Sequence, residues 1–514
     1  MKVHLLYRDR DVDLMQAPSS HDKTLMQDLG LPRLIAVMAG DDKRIYDVAQ
    51  HTLLASLTDI DTILFRQEIL EDCFKNEQVV RDMYNLAVET LESERKNFLG
   101  IAFRYPHAIL YRSVEVLQML AGMLRRLKAI ADQDGVGFDS EGFRTLFTML
   151  RSELDHDYFA AIQYHLKELK FGHGVLISAQ LGEGNKGTDY VLRKRNPPQG
   201  SWVRRAFTRP PSYSYTVHER DEAGARALGE LRDRGINLVA NALAQSTDHI
   251  LSFFTMLRNE LAFYVGCLNL RQRLSSRSLA LCFPQPIVLS HRALSATGLY
   301  DVCLALNLSG GIVDNDIRGD GRDLVIITGA NQGGKSTFLR SIGLSQVMMQ
   351  CGMFVPAMAF RANVCSRIFT HFKREEDATM ESGKFDEELK RMNEIVEDVT
   401  PNCLVLFNES FAATNEREGS EIARQITSAL IESRVKVAFV THQYEFARQF
   451  HARNLPKALF VRAERRDGGA RTFKVVEAPP LPTSFGEDLY REIFLGQPLA
   501  AKENAMALQD APKP

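Results

Sequence analysis

The run Gly329-Ala330-Asn331-Gln332-Gly333-Gly334-Lys335-Ser336-Thr337 restricts this chain more than any other stretch. It satisfies G-x-x-x-x-G-K-S, the spacing at which backbone N–H groups wrap a phosphate, a lysine neutralises it and a hydroxyl faces magnesium. Five residues before it, Leu324–Thr328, read as a mostly apolar strand. After it, Leu339, Ile342, Val347 and Cys351 recur on one side of a predicted helix that stops at Gly352. Strand, glycine loop and helix together aim N–H groups and a helix N-terminus at an anion. ATP with Mg²⁺ is the expected ligand pair.

A second apolar strand, Cys403–Phe407, runs into Asn408 and Glu409. In nucleotide hydrolases such a strand end carries a carboxylate for magnesium and a glutamate that orients water. Asn408 offers a neutral oxygen in place of the first acid, which predicts a weakened metal arm and a low hydrolysis rate. Glu409 keeps the second position as catalytic glutamate. A third strand closes on Thr441-His442, where a histidine can donate to a γ-phosphate, the alternative being a structural histidine. Between these strands Phe385, Leu389, Met392, Ile395, Val396 and Val399 form a helical apolar stripe, with Ser382 and Gly383 where its N-cap belongs.

At 514 residues the chain exceeds one ordinary domain. From Pro106 to Pro197, and again from Pro211 to Pro284, proline is absent and much of the sequence reads as helix. Leu251, Phe254, Leu257, Leu261, Val265 and Leu268 recur at spacings of three and four. Between the helical intervals lies a glycine- and proline-punctuated segment with β-prone runs at 175–179, 190–192 and 213–217. From about Pro284 onward short apolar strands alternate with helices, the pattern of a parallel α/β sheet. The expected organisation is a helical domain over 1–165, a β-rich basic insertion over 166–220, a helical return over 221–285, an α/β domain over 286–500 and a disordered tail over 501–514.

Net charge is −2, so any polyanion-binding surface must be local. The insertion supplies one. Between Tyr190 and His218 no acidic residue occurs, while Arg193, Lys194, Arg195, Arg204, Arg205 and Arg209 do, interleaved with Trp202, Phe207, Tyr213 and Tyr215. Cations release counterions from a nucleic-acid backbone and aromatics stack on exposed bases; the alternative is a solvated insertion whose aromatics pack inward. Seven cysteines without a C-x-x-C pair argue for reduced thiols. The charged N-terminus lacks a signal-peptide core, and no stretch approaches a membrane span. A cytoplasmic protein is expected.

The loop with its Asn331, "FVPA" at Phe354–Ala357, "VDNDI" at Val313–Ile317, and "DIDTILFRQEILEDCFKN" from Asp59 with its Arg66-Gln67 pair resemble the MutS family of DNA-repair ATPases. The resemblance is specific over Ile312–Phe450 and weaker but ordered from Asp59 to Leu274. It implies a helical core and lever domain carrying a clamp-like insertion, then a P-loop ATPase domain of ABC type. It also implies a homodimer in which Ser382 reaches the nucleotide of the partner protomer, His442 acts as a switch histidine, and Ser410–Gly419 couples the two sites. The family's usual aspartate is Asn408 here. The chain starts close to the core domain, so a shortened member without mismatch-reading and connector domains is expected, and no small nuclease-like domain is expected after the ATPase. DNA, structured or duplex, is the expected partner in repair or recombination. An ATPase remodelling RNA or ribosomes, and an ATP-switched scaffold with weak hydrolysis, are the alternatives.

Overall fold

The structure is a computed structural model that describes residues 1–15, 18–97, 106–171, 174–194, 216–218, 220–308, 310–374, 383–466, 470–482, 490 and 494. The expected tail and most of the 213–217 strand lie outside them; Thr216 and Val217 are not in a strand. The chain divides into two compact units.

The first unit comprises Met1–Val3, Gln78–Asp139 and Phe143–Arg258. Among its helices are α5 (Glu77–Asn97), α6 (Pro106–Gln133), α7 (Glu141–Glu153) and α8 (His156–Leu169), and it holds α9 (Glu222–Ser275) as far as Arg258. An antiparallel hairpin of β1 (Ile177–Leu181) and β2 (Gly187–Leu192) packs here. Leu110, Ile236 and Ala240 form a small core, joined by Val175 and Leu192 from the hairpin segment. Gly235 explains the fit, because a Cβ there would collide with the Ile177 side chain. Phe138, Phe143 and Phe147 make a second apolar knot, with Phe138 and Phe143 rings 4.5 Å apart.

The second unit comprises His4–Glu77, Ser140–Gly142 and Asn259–Pro514. Its early helices are α1 (Ser20–Leu29), α2 (Leu31–Ala39), α3 (Lys43–Leu54) and α4 (Ile60–Lys75). Serine or aspartate side chains cap α1, α3 and α4 at Ser19, Asp42 and Asp59. The N-terminal strap is stitched down by buried polar groups. Glu260 on α9 accepts from the N–H groups of Leu5, Leu6 (2.9 Å) and Val12 (3.0 Å), and Arg66 Nε donates to Leu6 O at 2.8 Å. Gln67 Nε2 donates to Pro284 O at 3.1 Å. The Arg66-Gln67 pair thus fastens chain segments together.

From Pro284 the expected alternation is present, with a correction to the sheet. The strands are β3 (Gln285–Ile287), β4 (Leu294–Leu299), β5 (Asn315–Arg318), β6 (Leu324–Gly329), β7 (Ala359–Asn363), β8 (Ile368–Phe372), β9 (Leu404–Asn408), β10 (Lys436–Val440), β11 (Ala458–Arg465) and β12 (Arg471–Glu477). Helices between them are α10 (Val302–Asn307), α11 (Lys335–Gln350), α12 (Lys384–Asp398), α13 (Glu416–Glu432) and α14 (Tyr444–Ala452). They form two sheets. Six strands run in the order β12-β11-β6-β10-β9-β8, and four in the order β3-β7-β4-β5. The larger sheet is parallel except for β12, which pairs antiparallel with β11. The five residues joining those strands are too few for a crossover, so the chain turns back on itself. The smaller sheet is mixed.

Three expectations about helix faces are refined. In α12 Met392 and Ile395 are buried and Phe385 and Val399 pack beside them, but Val396 is 51% exposed and Leu389 36%. The N-cap of α12 is Gly383, with no side-chain cap. In α9 Phe254, Leu257, Leu261, Val265 and Leu268 are buried, whereas Leu251 is only half-buried.

Candidate functional site

The cleft is built by four chain segments that the larger sheet brings to one edge. β6 lies between β11 and β10, and its last residue, Gly329, sits against Ala463. A Cβ at Gly329 would press on the Ala463 backbone at 2.8 Å, and φ is 115°. Gly334, the residue before α11, has φ 89°. Only glycine takes both positions without strain. Ala330 to Gly333 complete the loop, and Lys335, Ser336 and Thr337 open α11.

Lys335 is 4% exposed and donates to Gly329 O at 3.0 Å and Ala330 O at 2.8 Å. Burial pulls its pKa down to about 8, with Glu409 opposing and Arg471 adding to the fall. A cation withdrawn from water and held by two carbonyls is ready to be claimed by a stronger anion. Ser336 Oγ donates to Asn408 Oδ1 at 2.7 Å, so the hydroxyl and the β9 strand end meet directly.

Glu409 follows β9 with φ 55°, its N–H bonded to Val440 O at 2.9 Å. His442 follows β10, and its Nε2 lies 2.6 Å from Glu409 Oε1. That bond, the largest cause, holds the Glu409 carboxyl below its ordinary range. His442 therefore faces Glu409 first, and its Nδ1 is buried without a hydrogen-bond partner.

Lys335, Ser336, Glu409 and His442 line one cleft of about 800 Å³. Asn331 to Ser336, Glu409 and His442 form its polar end, and Leu304, Ile312, Val313 and Phe473 its apolar side. A polyphosphate at one end and a flat apolar group at the other match this division. Arg340 forks onto Asp301 Oδ2 at 2.5 and 2.8 Å, bracing α11 against the start of α10. Among the described residues no group of three or more His, Cys, Asp or Glu side chains is placed to hold a metal. Ser336 and Asn408 nevertheless offer two hard oxygens side by side, which suits magnesium completing its shell with water and phosphate, though neither carries charge.

Ser382 lies outside the described residues, as do Arg195, Trp202, Arg204, Arg205 and Arg209. Arg193 and Lys194 follow the hairpin in the first unit. Arg193 Nε donates to Ser178 Oγ at 2.8 Å, and Lys194 Nζ stands 4.8 Å from the Tyr164 ring centroid. Phe473, Asp301 and Arg340 went unread in the sequence. Asp301 and Phe473 lie far along the chain from the loop, and Arg340, only three residues past Thr337, follows no pattern that marks it. All seven cysteines are unpaired, and among the described residues no helix is long and apolar enough to cross a membrane.

Residues 58–277 match the MutS2 N-terminal domain, and residues 325–508 match MutS domain V. Relatives agree: the DNA mismatch repair protein MutS of Clostridium kluyveri is 25% identical over 362 residues, covering 66% of this chain and 40% of the relative. The chain belongs to the MutS family. DNA mismatch repair protein MutS of Thermus thermophilus is 25% identical over 440 residues, covering 79% of this MutS-family chain and 51% of that protein. DNA mismatch repair protein MutS 2 of Halobacterium salinarum is 32% identical over 206 residues, covering 39% and 23%. The chain thus spans about half or less of each relative's length.

Proposed function

We propose that this MutS-family chain binds and hydrolyses ATP in a P-loop of ABC type and uses the cycle to clamp DNA as a homodimer. In this reading it recognises DNA structure rather than a mismatch, acting in repair or recombination in the cytoplasm. The observation that carries the proposal is the convergence of Lys335, Ser336, Glu409 and His442 on one cleft, with Asn408 bonded to Ser336 behind them. The relatives' names, all DNA mismatch repair proteins, support DNA as the polymer.

Each residue has a task. Loop N–H groups from Ala330 to Gly334 and the N-terminus of α11 cradle phosphates, and Lys335 leaves its two carbonyls for the β- and γ-phosphates. Ser336 and Asn408 would hold magnesium, which would supply positive charge to the phosphates when bound. Glu409, kept ionised by His442, orients and deprotonates the attacking water. Ser382 reaches the γ-phosphate held by the partner protomer. Arg193, Lys194, Arg195, Arg204, Arg205 and Arg209 grip the DNA backbone, with Trp202 against bases.

One observation favours a second reading. The Ser336–Asn408 pair is neutral, so metal is attracted less strongly and the protein switches on ATP while hydrolysing slowly. A binding panel of duplex, forked, four-way and mismatched DNA plus structured RNA, with and without ATP, tests both, with ATPase rates measured alongside. DNA-stimulated turnover supports the first reading, and tight ATP binding with negligible turnover the second. Preference for RNA overturns the DNA assignment.

A further inference from the structure

The chain just beyond Glu409 is strained, and a histidine with no task above holds it. Glu409 and Phe411 both adopt left-handed backbone, φ 55° and 60°, with Ser410 between them. Non-glycine residues remain there only where their surroundings hold them. His371 on β8 supplies most of the grip. Its Nδ1 lies 2.8 Å from Ser410 Oγ, and the Ser410 hydroxyl donates to its backbone carbonyl. Its ring stacks on the Phe411 ring, centroids 5.2 Å apart and planes 16° from parallel. Gln443 Nε2 completes the clamp by donating to Phe411 O at 2.9 Å.

Proton positions follow from the partners. His371 is fully buried, and burial pushes its pKa down to about 4, so the ring is neutral. Nε2 faces only an acceptor in this network, Glu388 O on α12 at 3.0 Å, and must carry the hydrogen. Nδ1 is then a bare acceptor that shares the single Ser410 hydroxyl hydrogen with the His371 carbonyl. The ring therefore bridges α12 to the residue adjoining Glu409, with one donor and one acceptor committed.

We propose that His371 is a positioning residue for hydrolysis: through Ser410 it sets the backbone that carries the Glu409 carboxylate into the cleft, and it ties that carboxylate to α12. The inference rests on the ATPase reading above. Leucine at 371 keeps bulk but loses both ring hydrogen bonds, leaving only the backbone carbonyl to accept from Ser410. Glutamine can restore them, its N–H₂ donating to Glu388 O and its oxygen accepting from Ser410.

The test compares steady-state ATPase and equilibrium ATP binding of the full chain for wild type, His371→Leu, His371→Gln, Ser410→Ala and the His371→Leu/Ser410→Ala pair. Expected is a fall in kcat of about tenfold for His371→Leu and for Ser410→Ala, with ATP affinity within about twofold of wild type. The double variant falls by less than the product of the two single losses, because both variants break the link between the His371 ring and Ser410. His371→Gln recovers most of the rate. Should His371→Leu fail to fold, Ser410→Ala, which deletes one oxygen, carries the test. Wild-type kcat in Ser410→Ala and His371→Leu, or losses that add in the double variant, overturns the inference alone. A wild-type chain that binds ATP without hydrolysing it overturns the hydrolysis reading, and this inference with it.

Discussion

His442 Nε2 lies 2.6 Å from Glu409 Oε1, joining the ends of two neighbouring parallel strands through their side chains. The carboxylate that would activate water is thereby held ionised, and its reach is tied to the position of β10. Glu409→Gln keeps the shape and removes the base. ATP affinity should stay within about twofold while turnover falls by about a hundredfold or more. Wild-type turnover would place the base elsewhere.

Lys335→Ala removes the cation proposed to meet the β- and γ-phosphates. Charge-assisted hydrogen bonds of this kind contribute about 1.5–3 kcal/mol each, so ATP affinity should drop by at least about tenfold. Isothermal titration of both proteins measures it, and unchanged affinity would sink the P-loop assignment.

Asn408→Asp probes the metal arm. Aspartate can still accept from Ser336 and adds a charge where magnesium would sit, and attraction of about a few kcal/mol is expected in a partly dry cleft. The magnesium midpoint should fall and turnover rise. Reduced turnover at an unchanged midpoint would instead mean that the new acid repels Glu409.

Alanine at Arg193, Lys194, Arg195, Arg204 and Arg205 together should weaken DNA binding and flatten its salt dependence by roughly four to five log–log units if all five meet phosphate. A salt titration of DNA affinity reads the slope, with a thermal unfolding midpoint confirming the fold. An unaltered slope moves the DNA surface off this segment.

Glu260 makes a pH prediction. Burial raises its carboxyl from 4.5 to about 7 against the pull of the N–H groups of Leu6, Leu5 and Val12. The folded value lies above the unfolded one, so this group's stabilising share is complete below about pH 4.5 and is lost as pH rises towards 7. Relative to Glu260→Gln, which does not titrate, wild type should lose on the order of 3 kcal/mol across that interval. Denaturant unfolding of both proteins at several pH values measures the difference, and a flat difference would refute the assignment.

The glycine loop, the strand ends at Asn408 and His442 and the apolar face of α9 were legible because each is a local pattern. A glycine spacing, a β-prone run ending in polar residues, or a three-four periodicity states its structure within a few neighbouring residues. The parallel sheet expected from Pro284 onward holds except at β12 and in the smaller mixed sheet, because strand direction depends on which strand the chain returns to. The sequence by itself determined where a phosphate could be cradled and which polar residues end the adjoining strands. Only the tertiary structure decided what those residues touch: Ser336 on Asn408, 72 positions away, His371 on Ser410, 39 away, and Glu260 on Leu6, 254 away. A buried polar side chain must find a partner, and its own residue type does not say which distant segment the packing will deliver.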